Sequence, residues 1–136
     1  MSRRDDTLRL QDMLTAARDA QAFAAGKTEA GLARDKQLQL ALLKCLEIIG
    51  EAAARVGEET RAKQPALPWA DLIGMRNRFV HVYFDIDLSQ LWTTVADDLP
   101  ALIAELERIA GEAPMPKPQT PKEASPEKER PVAEEG

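Results

Sequence analysis

The chain has 136 residues, 44% of them hydrophobic and 30% charged, with a formal net charge of −5, which is material for one compact domain. The acidic balance argues against a protein that coats nucleic acid through a broad basic surface, so any such contact must be local. A single cysteine excludes an internal disulfide, and the absence of an apolar run of about 18 residues excludes a membrane-spanning helix.

The N-terminus, MSRRDDTLRL, turns acidic where a secretory signal would be apolar, and the expected location is the cytoplasm. Leu, Ala, Glu and Arg dominate while β-branched and aromatic residues are scarce, which favours helices over strands. Leu10, Met13, Leu14, Ala17 and Ala24 recur at helical spacing and predict a first helix over about 5–25, stopped by Gly26. A second helix is expected over 29–57. Leu38, Leu42, Cys45, Leu46, Ile49, Ala53 and Val56 form one stripe, and Leu40, Leu43 and Gly50 populate another side. A helix apolar on most of its circumference is central or sits in an interface. Cys45 lies within this run and reads as a small buried hydrophobe. One Cys and one His supply no zinc site, so no metal or other cofactor is expected.

Gly57 and KQPALPW end the second helix, because proline disfavours helix in the residue before it. A third helix should start near Trp69 and carry ADLIGMRNRFVHV. The fourth opens at DIDLSQ, with Asp87 as cap and Gln90 as its capping-box partner, and continues to about residue 110. Pro100 falls inside it, where a kink or a break with restart is expected. The sum is an all-α, four- to five-helix up-and-down bundle over residues 1–111. Residues 112–136, rich in Pro, Glu and Lys, cannot bury enough apolar surface to offset their ordering entropy and read as a disordered tail.

The only histidine and the only tyrosine of the chain, His81 and Tyr83, stand within one short string, RNRFVHVYF. On a wheel of about 100° per residue, Leu72, Met75, Phe79 and Val82 share the core arc of the third helix. Arg76, Asn77 and His81 lie on the other side, interleaved with Ile73 and Val80. A plain solvent face would not interleave Ile and Val with its polar residues, so this face should meet another surface, most simply a two-fold copy of itself. Such a pairing would bring two sets of Arg76, Asn77 and His81 toward one cleft. Histidine moves a proton near neutral pH, arginine offers a fork of donors to phosphate, and asparagine holds either in place. Together these can cleave RNA without a metal. The structural alternative has His81 ending its helix near the negative pole of the dipole and Arg76 paired with Asp71 or with another acidic side chain.

The string GMRNRFVHVYFDID, with Arg76, His81 and Tyr83 in an Arg-x4-His-x-Tyr pattern, resembles the HepT-like branch of the HEPN domain family. The resemblance extends through DMLTAA, ALLKCLEIIGEAAARV, LPWADLIGMRN and LWTTVADDLPALI, covering nearly all of residues 5–108. It implies an all-α bundle that forms a homodimer through the motif helices, and a metal-independent endoribonuclease acting as the toxin of a toxin–antitoxin pair. Carried over residue by residue, Arg76 and His81 take the catalytic roles and Asn77 supports them. Tyr83 matches the tyrosine that a minimal nucleotidyltransferase antitoxin modifies with AMP. The substrate implied is RNA, with tRNA and mRNA both open. The competing reading is a catalytically silent dimer that serves as the docking subunit of a nucleotidyltransferase, and a third is a dimer in which Arg76 and His81 only lock the interface. Glu51 stands four residues before Arg55 and reads as a surface pair rather than an orienter of Arg76. Trp69 and Trp92 read as core anchors rather than platforms for bases.

Overall fold

The computed structural model describes residues 3–80 and 85–112. Helix α1 spans Arg3–Ala24, α2 Glu29–Leu32, α3 Lys36–Ala54, α4 Glu58–Lys63, α5 Trp69–Arg78 and α6 Leu88–Thr93; a π-helical turn, Thr94–Asp98, runs directly into α7, Leu99–Glu112. Apart from one isolated antiparallel bridge between Val80 and Ile86, the regular structure among the described residues is helical. The all-α bundle is therefore as the composition and periodicity require. The tail expected to be disordered falls, from residue 113 onward, outside the described residues.

The core follows from the apolar stripes. α1 packs most extensively on α3, α3 on α5, and α1 on α7. Met13, Leu42, Ile49, Leu72, Phe79, Leu91 and Leu106 are buried where these faces converge. At roughly 25 cal/mol per Å2 of apolar surface, such side chains each contribute about 1.5–3 kcal/mol by leaving water. α1 ends where expected, with Gly26 in the left-handed region at φ 75°, a conformation glycine adopts without steric cost. Among the described residues no helix is long and apolar enough to cross a membrane.

The second segment departs from the continuous helix expected over 29–57. Thr28 caps α2 by accepting from the Gly31 N–H at 2.9 Å, and Asp35 starts α3 by accepting from the Leu38 N–H at 3.0 Å. Short polar side chains at these two positions compete for backbone donors and divide the segment. The buried Gln39 amide then donates to the Leu32 carbonyl at 2.9 Å, satisfying the end of α2. α3 stops at Ala54, and the additional helix α4 begins after Gly57.

No residue of α4 is buried, and a side chain of α1 tethers it. Asp6, only 5% exposed, accepts from the Gly57 N–H at 3.1 Å and from the Thr60 hydroxyl at 2.5 Å. Asp6→Ala leaves both donors without this partner and should lower stability by about 1.5–3 kcal/mol, the range for hydrogen bonds to a charged group. The check is urea unfolding of the variant beside Asp6→Asn, which keeps one acceptor oxygen and should lose less. Equal midpoints for wild type and Asp6→Ala would rule the tether out.

The stretch from α6 to α7 handles Pro100 without a break. Leu99 N–H donates to the carbonyl of Thr94, five residues back. Pro100 has no N–H to give, and its ring would crowd the carbonyl four residues earlier in a regular α-helix. Widening one turn to π geometry just before the proline relieves that crowding, so the disturbance expected at Pro100, a kink or a break with restart, takes the form of a π turn within one continuous helical run.

Candidate functional site

Helix α5 carries the start of the motif, Arg76 and Asn77, and its first half is assembled as the sequence suggests. The chain enters from Pro68, whose carbonyl accepts the Leu72 N–H at 2.9 Å. The Trp69 indole N–H donates to the Gln64 carbonyl at 3.0 Å, and both Trp69 and Trp92 pack against the core, as anchors would. Leu72, Met75 and Phe79, 2%, 5% and 1% exposed, fix the inner face of α5. Arg76 lies in its last turn and Asn77 beside it is exposed. Ile73 is half-buried against the core and Val80 is half-buried just beyond the helix.

The helix does not run on to Val82. It ends at Arg78, with Phe79 as its C-cap. The Phe79 carbonyl accepts the Asp87 N–H at 2.7 Å, and Val80 pairs with Ile86 in the antiparallel bridge. The wheel position read for Val80 therefore does not hold, and those read for His81 and Val82 lie outside the described residues. The cause is local competition: the β-prone string FVHVYF offers a poor helix continuation, and a partner strand residue is available at Ile86. His81, Val82 and Tyr83 lie outside the described residues, in the sequence between the two halves of this bridge. Val80 and Ile86, which flank that stretch among the described residues, are paired with each other.

Asp87 does cap α6, accepting the Gln90 N–H at 3.0 Å. The reciprocal capping-box bond would use the Asp87 N–H, which goes instead to Phe79. One residue thereby starts α6 and closes the motif-bearing segment.

Asp71 is paired with Arg78, while the Arg76 side chain lies outside what the structure describes. The Arg78 guanidinium lies 3.6 Å from the Asp71 carboxylate and donates to the Asp71 carbonyl at 3.1 Å. A spacing of seven residues is two turns, which returns the side chain to the same face. Arg78 was absent from the sequence reading because a spacing of three or four is the usual pairing signal on a helix.

Behind α5 lies a cleft of about 390 Å3, bounded by the π turn and α7 and lined by Leu72, Met75, Arg78, Asp97, Asp98 and Leu102 among others. Glu51 and Arg55 line a more open groove with Ile48 of α3 and Arg9 and Asp12 of α1. Among the described residues, no three His, Cys, Asp or Glu side chains gather as ligands of a metal ion would.

Cys45 is buried, as read from its place in the apolar run. Burial, and secondarily the negative charge of Asp19, push its thiol from 9.0 up to about 11. The unfolded chain ionises first, so this group's contribution to stability is complete below pH 9 and declines between about pH 9 and 11. At pH 8 iodoacetamide should modify Cys45 slowly in the folded protein and readily in urea, as read by mass spectrometry. Rapid native alkylation would contradict its burial.

Comparison with known proteins extends the same region. The family model described as ribonuclease HepT-like matches residues 13–109, which include Arg76, Asn77, His81 and Tyr83. A Methanocaldococcus jannaschii protein provisionally named an RNase is 36% identical over 109 residues, covering 80% of this chain and all of the relative. A Thermococcus cleftensis protein provisionally named ribonuclease HepT is 37% identical over 75 residues, 55% of this chain and 68% of the relative. A Caldanaerobacter subterraneus protein provisionally named an RNase is 34% identical over 76 residues, 56% of this chain and 68% of the relative. No solved structure matches. With the helical bundle, the motif in its sequence and a family match over most of the chain, this protein belongs to the HepT-like ribonuclease family.

Proposed function

We propose that the chain is a metal-independent endoribonuclease that acts as a homodimer and as the toxin of a toxin–antitoxin pair. The observation that carries this reading is the family match over residues 13–109, within which Arg76, His81 and Tyr83 keep the motif spacing. The half-buried Ile73 and Val80 beside exposed Asn77 support a two-fold contact through α5 and the residues after it, since an apolar and polar mixture of this kind gains by packing on a copy of itself. Two copies of His81 would then divide the two proton transfers. One takes the proton from the RNA 2′-hydroxyl as its oxygen attacks phosphorus, and the other protonates the departing 5′-oxygen. The Arg76 guanidinium stabilises the charge that builds on the phosphorane, and Asn77 steadies the pair. The products are a 2′,3′-cyclic phosphate and a 5′-hydroxyl. The test is cleavage of a total-RNA pool by the purified dimer in EDTA, with the ends of the products identified.

Regulation follows the same chemistry. A minimal nucleotidyltransferase antitoxin transfers AMP from ATP to the Tyr83 hydroxyl, with pyrophosphate leaving. The added phosphate puts negative charge and bulk two residues from His81, where an RNA phosphate must approach. Mass spectrometry after co-expression with a cognate nucleotidyltransferase should find an AMP-sized addition on the wild type and none on Tyr83→Phe. An unmodified wild type would remove this step. The second reading, a silent dimer that docks a nucleotidyltransferase, shares these residues and is separated from the first by the RNA assay alone.

A further inference from the structure

We propose that the cleft behind α5 is the docking site of the chain's own basic, proline-rich segment, residues 113–122. The floor of the cleft is apolar, formed by Leu67, Leu72, Met75, Leu99 and Leu102. Its rim carries four carboxylates, Asp71, Asp97, Asp98 and Glu105, against the single guanidinium of Arg78. Arg108, just outside, is bonded to Glu105 and to Gln64. A rim of this sign repels the phosphates of RNA and selects a cationic segment that also presents compact apolar groups.

The sequence that follows α7 has this chemistry. APMPKPQTPK carries Lys117 and Lys122, prolines and Met115, with no acidic residue. The carboxylates of the tail come later, from Glu123 onward. Proline-rich chain is recognised with little loss of conformational entropy, because its extended form exists before binding. Reach also agrees. From Glu112 back to Asp98 is about 21 Å at 1.5 Å per helical residue, and ten residues of proline-rich chain span roughly 31 Å at 3.1 Å each. The segment would contact α5 on the side away from Asn77, leaving the motif side to RNA. This assignment stands apart from the ribonuclease reading, since its test measures contact and not activity.

The experiment is zero-length carbodiimide crosslinking of the full chain, using isotope-labelled and unlabelled protein unfolded and refolded together, with the joined peptides identified by mass spectrometry. Lys117 and Lys122 should join to Asp71, Asp97, Asp98 or Glu105 several-fold more often than to Glu58 or Glu59 of α4, in peptides of one isotopic composition. The preference should collapse as salt rises from 0.1 M to 1 M, where the screening length falls from about 10 Å to about 3 Å. Asp97→Asn with Asp98→Asn should lower the yield at the untouched Glu105 several-fold; both positions are exposed, so folding is not at issue. Crosslinks spread evenly over the surface carboxylates, or a Glu105 yield unchanged in the double variant, would overturn the proposal. Joined peptides of mixed isotopic composition would assign the cleft to a second copy's tail and overturn the claim that the chain's own segment fills it.

Discussion

His81→Ala and Arg76→Ala should each lower RNA cleavage in EDTA by about 10²–10⁴-fold while leaving the fold and the dimer intact. That range is what a positioned general acid–base group supplies, and removing one donor to a developing oxyanion costs a similar factor. The two losses should not add. Once either group is absent the transition state is no longer assembled, so the double variant should fall little below the single ones. Arg76→Lys keeps the charge but not the planar fork, and should recover only a small part of the rate. On the proposed mechanism, with one copy of His81 as base and the other as acid, the rate should pass through a maximum with pH that is absent from the residual activity of His81→Ala. Product ends separate this reaction from a contaminating hydrolase, because a 2′,3′-cyclic phosphate requires attack by the 2′-hydroxyl. Equal rates for wild type and both variants would reduce the motif to a docking element.

Phe79→Ala should be the most damaging single substitution in the bundle. Phe79 is 1% exposed, caps α5 at its C-terminus, and lends its carbonyl to the Asp87 N–H. Truncation leaves a cavity beside Leu72 and Met75 and costs about 3–5 kcal/mol, a large share of the roughly 5–15 kcal/mol that stabilises a typical domain. The midpoint of thermal unfolding should fall by on the order of 10–20 °C. The consequence for function is separable from global unfolding. Phe79 holds the chain where α5 gives way to the Val80–Ile86 bridge, so cleavage at a temperature where the variant remains folded should still drop. Phe79→Leu retains most of the buried volume and should lose far less on both counts. If Phe79→Ala unfolds within a degree or two of the wild type, the assigned role of this residue in anchoring the motif is wrong.

Leu10, Met13 and Leu14 on α1, and Leu42, Leu46 and Ile49 on α3, are buried where their 3.6-residue spacing puts them. Trp69 opens α5 and Asp87 caps α6, because a tryptophan after proline and an aspartate before a helix act on neighbours within one turn. The candidate site was legible as a set of residue types and a motif, and the family match spans it. The division of the second helix was signalled by Thr28 and Asp35, but an apolar stripe running through a short cap looks continuous.

The sequence by itself determined the all-α class, the core faces, the caps and the membership of the motif string, since each depends on interactions within about four residues. Tertiary structure completed what the β-prone string after α5 only favours, the stop at Arg78, because the acceptor at Phe79 is met by a donor from Asp87 beyond the bridge. It also decided that Asp71 faces Arg78, that Asp6 of α1 tethers α4, and that four carboxylates converge around one apolar cleft. These contacts join residues from seven to more than fifty positions apart, and their energy is realised only after the helices have packed. No local pattern encodes them, because the chain between the partners must first be folded before either group can find the other.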